Sequence, residues 1–167
     1  MPEMGEYVVG AYLKLILGCH NVIYNQKPGG QTEIDVLGLD LERKIVYVCE
    51  VKTHIKGLLV SRGGLDVTEE TIQKQLTTLI SYGEKYWKGF ERRVMFWSPY
   101  VPVGKKTAGL ERIRRSLPVN VEFVINSEYK KRVKQLQEKA KKDASDRGEP
   151  FYRALQILEH LRGGDAP

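Results

Sequence analysis

In the run Tyr47-Val48-Cys49-Glu50-Val51-Lys52, an apolar, strand-like stretch suddenly carries two charges. Residues two apart on a strand point to the same face, so Glu50 and Lys52 stand side by side. Burying them costs free energy unless a partner or a metal ion meets them. A second strand-like run, Glu33 to Leu39, lies just upstream, with the polar Asp40-Leu41-Glu42-Arg43 between the two. If this hairpin turns about Glu42-Arg43, residues whose numbers sum to about 85 face each other, which sets Asp35 opposite Glu50. Directly opposed residues have Cβ atoms about 4.5–5.5 Å apart, close enough for two carboxylates to share one cation.

Two carboxylates without Cys or His point to a hard cation, Mg²⁺ or Mn²⁺, of the kind that keeps waters while holding substrate phosphates. Lys52 would then orient or deprotonate an attacking water, or stabilise charge building on a phosphodiester. The two cysteines, Cys19 and Cys49, show no metal-ligand spacing and read as core thiols. The histidines His20, His54 and His160 are scattered and give zinc nothing to bind. His54 continues the Glu50 and Lys52 face and reads as a surface residue. The Gly29-Gly30 loop lacks phosphate-loop spacing and reads as a flexible rim.

These residues need elements to hold them. Val8, Val9, Tyr12, Leu13, Ile16 and Leu17 recur at helical spacing before Gly18, which predicts a helix over 3–17 closed by a C-cap glycine. A short extended piece at 21–25 and the hairpin follow. Asp66, with Glu69 three residues later, predicts a cap, and Ile72, Leu76, Leu79, Ile80 and Gly83 then mark one helix face to about Trp87. Buried strands are expected at 94–97 and 119–125, separated by a basic helix over 107–116. Helix, three strands, helix, strand, helix, strand implies an α/β fold: a mixed sheet flanked by helices. From Ser127 a basic helix carries a narrow stripe of Tyr129, Val133, Leu136 and Ala140, and a final amphipathic helix spans 151–161. This tail is expected to dock on its own chain, with homodimerisation as the alternative.

Glu33-Ile34-Asp35 followed by Glu50-Val51-Lys52 resembles the PD-(D/E)XK nuclease superfamily over roughly residues 3–98, with Glu33-Ile34 standing where the proline of the motif would be. The resemblance implies a restriction-endonuclease-like αβββαβ core, within a nuclease domain taken as 1–126; the shift in composition from Ser127 marks 127–167 as a basic helical C-terminal extension. It also implies dependence on Mg²⁺, metal ligands at Asp35 and Glu50, and a catalytic Lys52. Glu6 matches an acidic residue that many members carry on the first helix, as a further ligand. A glutamine on the helix after the lysine strand is matched by Gln73 or Gln75, of which Gln75-Leu76 looks more like the family's helix.

At 41% hydrophobic and 29% charged residues, the composition is that of a globular domain, not of a disordered or membrane class. The apolar stretch Val8 to Leu17 is broken by Lys14 and has no signal-peptide flanks, so an intracellular, cytoplasmic protein with no membrane partner is expected. Net charge is +6, unevenly spread: residues 1–90 hold 10 Lys/Arg and 11 Asp/Glu, residues 91–167 hold 17 and 10. A basic C-terminal half suits a polyanion, and the expected partner is nucleic acid, DNA before RNA. Lys105, Lys106, Arg112, Arg114 and Arg115 on one helix, and Lys130 and Lys131 on the next, are the expected phosphate contacts. Rival readings are a catalytically silent nucleic-acid-binding module and an assembly protein dimerising through 151–161. Reversing the charge of Arg112, Arg114 and Arg115 together should flatten the salt dependence of binding, whose slope on duplex DNA is roughly −0.9 per neutralised phosphate. A salt titration in which triple variant and wild type give the same slope would place the track elsewhere.

Overall fold

The computed structural model describes residues 1–28, 33–53 and 65–163, apart from the side chains of 65–68, 106 and 163. The Gly29-Gly30 loop, His54 and the Asp66 side chain lie outside the described residues. The order is α1 (Met4–Leu15), β1 (Asn21–Gln26), β2 (Ile34–Asp40), β3 (Ile45–Val51), α2 (Leu65–Tyr86), β4 (Glu91–Ser98), α3 (Lys105–Ser116), β5 (Val121–Ile125), α4 (Asn126–Ala140) and α5 (Pro150–Gly163). This is an α/β fold whose elements follow the expected succession.

The five strands form one mixed sheet in the order β1-β2-β3-β4-β5. β1, β2 and β3 pair antiparallel, whereas β3, β4 and β5 run parallel through the crossovers α2 and α3. Every residue of β3 is buried, which explains why its sequence reads as an unbroken apolar run apart from Glu50. The hairpin turn is held by Asp40, whose carboxylate accepts the Arg43 N–H at 2.9 Å and also pairs with its guanidinium. Lys44 closes the turn at φ 54°.

Helices cover both faces. On one, Ile72, Leu76, Leu79 and Ile80 of α2 and Leu110 and Ile113 of α3 pack on Leu37, Leu39, Val46, Val48, Val94 and Phe96. On the other, α1 buries Val8, Val9, Ala11, Tyr12 and Leu13 against Val36, Tyr47, Cys49, Met95 and Trp97. Tyr129, Leu136 and Ala140 of α4 and Tyr152 of α5 belong to that second core, and Trp97 makes edge contacts with both Tyr12 and Tyr129. Residues 127–163 therefore dock on their own chain and complete the layer beside α1. The boundary drawn after 126 marks the end of the sheet but does not divide the core. The outer side of α5 leaves Ile157, Leu158 and Leu161 exposed.

Glu149 fastens this layer. Its carboxylate is 6% exposed and accepts hydrogen bonds from Lys14 Nζ at 3.1 Å and from the Tyr24 hydroxyl at 2.9 Å, joining α1, β1 and the start of α5. Tyr24 reaches it by lying over Gly10 of α1, where a Cβ would fall 1.9 Å from the Tyr24 Oη. Glu149→Ala should destabilise the fold by about 1–3 kcal/mol, since it strands the Tyr24 hydroxyl without a partner. Chemical denaturation would measure this, and a loss within 0.5 kcal/mol, roughly the scatter of surface substitutions, would show that α5 docks without it.

Candidate active site

The hairpin register runs from Asp40 opposite Ile45 to Val36 opposite Cys49; continuing it by one step sets Asp35 opposite Glu50, whose carboxyl feels the Asp35 charge. The Val51 N–H donates to Asp35 Oδ2 at 2.7 Å, tying the carboxylate across the two strands. Val46 and Val48 face α2, so Glu50 and Lys52 at the following even positions share that face. The Lys52 N–H donates to the Trp97 carbonyl at 2.8 Å, which extends the β3–β4 ladder past the last strand residue. Lys52 Nζ forms an ion pair with Glu50 Oε1; the Glu50 side chain is 2% exposed and that of Lys52 26%.

Burial pushes the Glu50 carboxyl up to about 7, and the neighbouring charge of Asp35 adds to this, while Lys52 opposes it. Asp35 is raised as well, by burial first, with the Val51 N–H and Lys52 favouring its ionised form. Of the opposed pair, Glu50 is pushed up the more strongly: its side chain is the more deeply buried, whereas Asp35 is half-buried and accepts the Val51 main-chain N–H. A cation between them would relieve the same desolvation, and an all-oxygen pair suits Mg²⁺ or Mn²⁺.

Glu6 lies near but is engaged. The first turn of α1 comes close to the end of β3 because residue 5 is glycine: a Cβ there would stand 2.0 Å from Thr53 Cγ2. Glu6 Oε2 accepts the Glu3 N–H at 3.2 Å and the Asn25 side-chain amide at 3.0 Å. Its pKa is raised by burial, against the pull of those two donors, and the charge of Asp35 raises it further, which places the two within electrostatic reach. Among the described residues, no group of three or more His, Cys, Asp or Glu side chains is gathered to hold a metal. Asp35 and Glu50 are the carboxylates brought together, while Glu6 ties α1 to β1. Asn25 was not foreseen as part of this arrangement. Its φ of 52° interrupts the ladder between Tyr24 and Gln26, and asparagine's tolerance of left-handed backbone is the signal that could have flagged it.

The two glutamines differ in their surroundings. Gln73 is exposed and its amide donates to Ser116 Oγ at 3.1 Å, serving the contact between α2 and α3. Gln75 is half-buried, and its Oε1 is fully buried without a hydrogen-bond partner. Ser98, at the end of β4, is wholly buried and its hydroxyl has no partner either. Such orphaned groups cost about 1–3 kcal/mol each.

The basic positions separate into two sets. α3 packs with α2 on one face of the sheet and α4 lies on the other, so their charges do not form one stripe. Arg112 is paired with Glu69 at 2.7 Å, Arg114 lies 3.7 Å from Glu111, and Lys131 lies 3.8 Å from Glu128. Arg132 is structural, bound to Glu122, Glu128 and the Tyr12 hydroxyl. Lys105 is exposed at the start of α3, at the end of the sheet that holds Glu50, and Arg115 is exposed near the far end of that helix. The Lys106 side chain lies outside the described residues. Lys130 and Lys134 flank a hollow of about 510 Å³ that Pro99, Asn126 and Tyr129 also line. No helix among the described residues is long and apolar enough to cross a membrane. Compared with protein-family models and with curated proteins, the chain matches none.

The raised Glu50 carboxyl makes stability depend on pH in a definite direction. The folded state holds its proton up to about 7 while the unfolded chain releases it near 4.5, so stability contributed by this group is complete below 4.5 and is lost as pH rises toward 7. The loss is about 3 kcal/mol at most. Glu50→Gln should remove that decline, and urea unfolding at pH 4.5 and 8 should show the variant gaining on the wild type at the higher pH. Parallel pH dependences in the two proteins would mean that the carboxyl is already compensated.

Proposed function

We propose that this chain is a metal-dependent nuclease of the PD-(D/E)XK kind, hydrolysing phosphodiester bonds in DNA, with RNA as the alternative substrate of the same site. One observation carries the reading: two carboxylates from opposed strands, the buried Glu50 and the half-buried Asp35, lie within each other's field with the Lys52 ammonium on the same face. Buried like charges are unfavourable, and a site that keeps them opposed is suited to a cation. The succession α1-β1-β2-β3-α2-β4 and the half-buried, unpartnered Gln75 Oε1 agree with that family's core.

In this reading Asp35 and Glu50 hold Mg²⁺ or Mn²⁺, with Glu6 as an outer carboxylate that orders the start of α1. The bound cation would supply Lewis acidity beside the scissile phosphate. Lys52, freed from Glu50, orients the attacking water or offsets charge developing on the phosphate. Gln75 contributes an amide on the same side of the sheet. Lys105 and Lys130 are the phosphate contacts this reading favours over Arg112 and Arg114, whose guanidinium groups already have acidic partners. A homodimer, if formed, would use Ile157, Leu158 and Leu161.

The test is incubation with plasmid, single-stranded and branched DNA, and with RNA, in Mg²⁺, Mn²⁺, Ca²⁺ or EDTA. Cleavage is expected with Mg²⁺ or Mn²⁺, and binding with little or no cleavage in Ca²⁺. Asp35→Ala, Glu50→Ala and Lys52→Ala should each lower turnover about 10²- to 10⁴-fold while leaving binding largely intact. Undiminished cleavage in EDTA, or normal cleavage by Lys52→Ala, would overturn the reading, and binding without cleavage in any metal would favour a silent module.

A further inference from the structure

The unpartnered Ser98 hydroxyl stands beside the lysine of the site. In a parallel ladder, an N–H bonds the carbonyl of the residue just before its own partner. The bond from Lys52 N–H to the Trp97 carbonyl therefore makes Ser98 the cross-strand neighbour of Lys52, continuing the pairs Glu50 with Phe96 and Val51 with Trp97. Phe96 belongs to the core beneath α2 and Trp97 to the core beneath α1, so Ser98 returns to the α2 face shared by Glu50 and Lys52. Neighbouring strands lie about 4.8 Å apart, well within the reach of a lysine side chain.

On its other side Ser98 pairs with Ile125, which has no polar side-chain atom. Ser98 is 0% exposed, and its Oγ has no hydrogen-bond partner. It cannot touch a substrate, so any role it has runs through a neighbour, and Lys52 is the cross-strand neighbour with protons to donate.

Resting on the nuclease reading, we propose that Ser98 is a positioning residue for Lys52: its hydroxyl oxygen accepts from the Lys52 ammonium once Glu50 gives up that ion pair to a cation. Lys52 then has two resting places, Glu50 in the metal-free protein and Ser98 in the metal-loaded one. The second fixes an otherwise mobile four-carbon chain without neutralising its charge.

The experiment follows the Lys52 side-chain resonances by NMR, assigned with Lys52→Arg, in wild type, Ser98→Ala and Ser98→Thr during titration with Mg²⁺ alone, alongside steady-state cleavage and thermal unfolding. Ser98→Ala should unfold no earlier than wild type without metal and should bind Mg²⁺ with unchanged affinity. In it, Lys52 should become mobile on Mg²⁺ binding, where the wild-type signal moves to a single ordered position. Its kcat should fall about 10- to 100-fold with KM unchanged, the factor expected for one hydrogen bond to a charged group, and Ser98→Thr should restore most of it. A Lys52 signal that Mg²⁺ leaves in place in the wild type, or that responds identically in Ser98→Ala, would overturn the assignment. Should the wild type cleave no nucleic acid while Lys52 still orders with Mg²⁺ only when residue 98 bears a hydroxyl, the nuclease reading fails and the positioning role stands.

Discussion

Pairing of β2 with β3 in one register is the constraint on which the rest of the molecule depends. A slip by one residue would turn every side chain of one strand to the opposite face. Here that would carry Leu37 and Leu39 out of the core beneath α2 and take Asp35 away from Glu50. The turn at Asp40 to Lys44, with its carboxylate bonded to the Arg43 main chain, sets the count, and the apolar faces on both sides of the sheet enforce it. The strand pairing that builds the core also builds the candidate site.

Both helical layers serve that strand pair in different ways. α2 and α3 seal the face on which Glu50 and Lys52 lie, and the crossover from β3 to β4 brings Ser98 level with Lys52. α1 seals the other face and brings Glu6 near the end of β3 through the close approach at Gly5. α4 and α5 then close the layer beside α1, with Trp97 between Tyr12 and Tyr129 and with Glu149 binding three elements at one carboxylate. The basic tail is part of the wall behind the candidate site.

Electrostatics divides the acidic residues by what their surroundings offer. Asp40 has the Arg43 main chain and guanidinium, which hold its carboxyl below the ordinary range. Asp35 has the Val51 main-chain donor, and among the described residues Glu50 is paired with Lys52. Desolvation therefore wins at Glu50 and loses at Asp40. Sites that bind charged ligands carry such local disadvantage, and stability is recovered elsewhere, here in two apolar cores on the faces of one sheet.

The sequence by itself determined the strands, the helices, the hairpin register and the opposition of Asp35 to Glu50, because these follow from periodicities of 2 and 3.6 and from turn chemistry among near neighbours. Tertiary structure alone decided which charges were free. Arg112 is neutralised by Glu69, 43 residues away, and Lys14 is tied to Glu149 across 135 residues. Glu6 is held by Asn25, and Gln73 rather than Gln75 is occupied by Ser116. It likewise decided that 127–163 complete the core, since a narrow apolar stripe states that a helix packs without stating on what. Ser98 carried no signal along the chain, and its place beside Lys52 arises only when β4 aligns with β3 through a helix inserted between them.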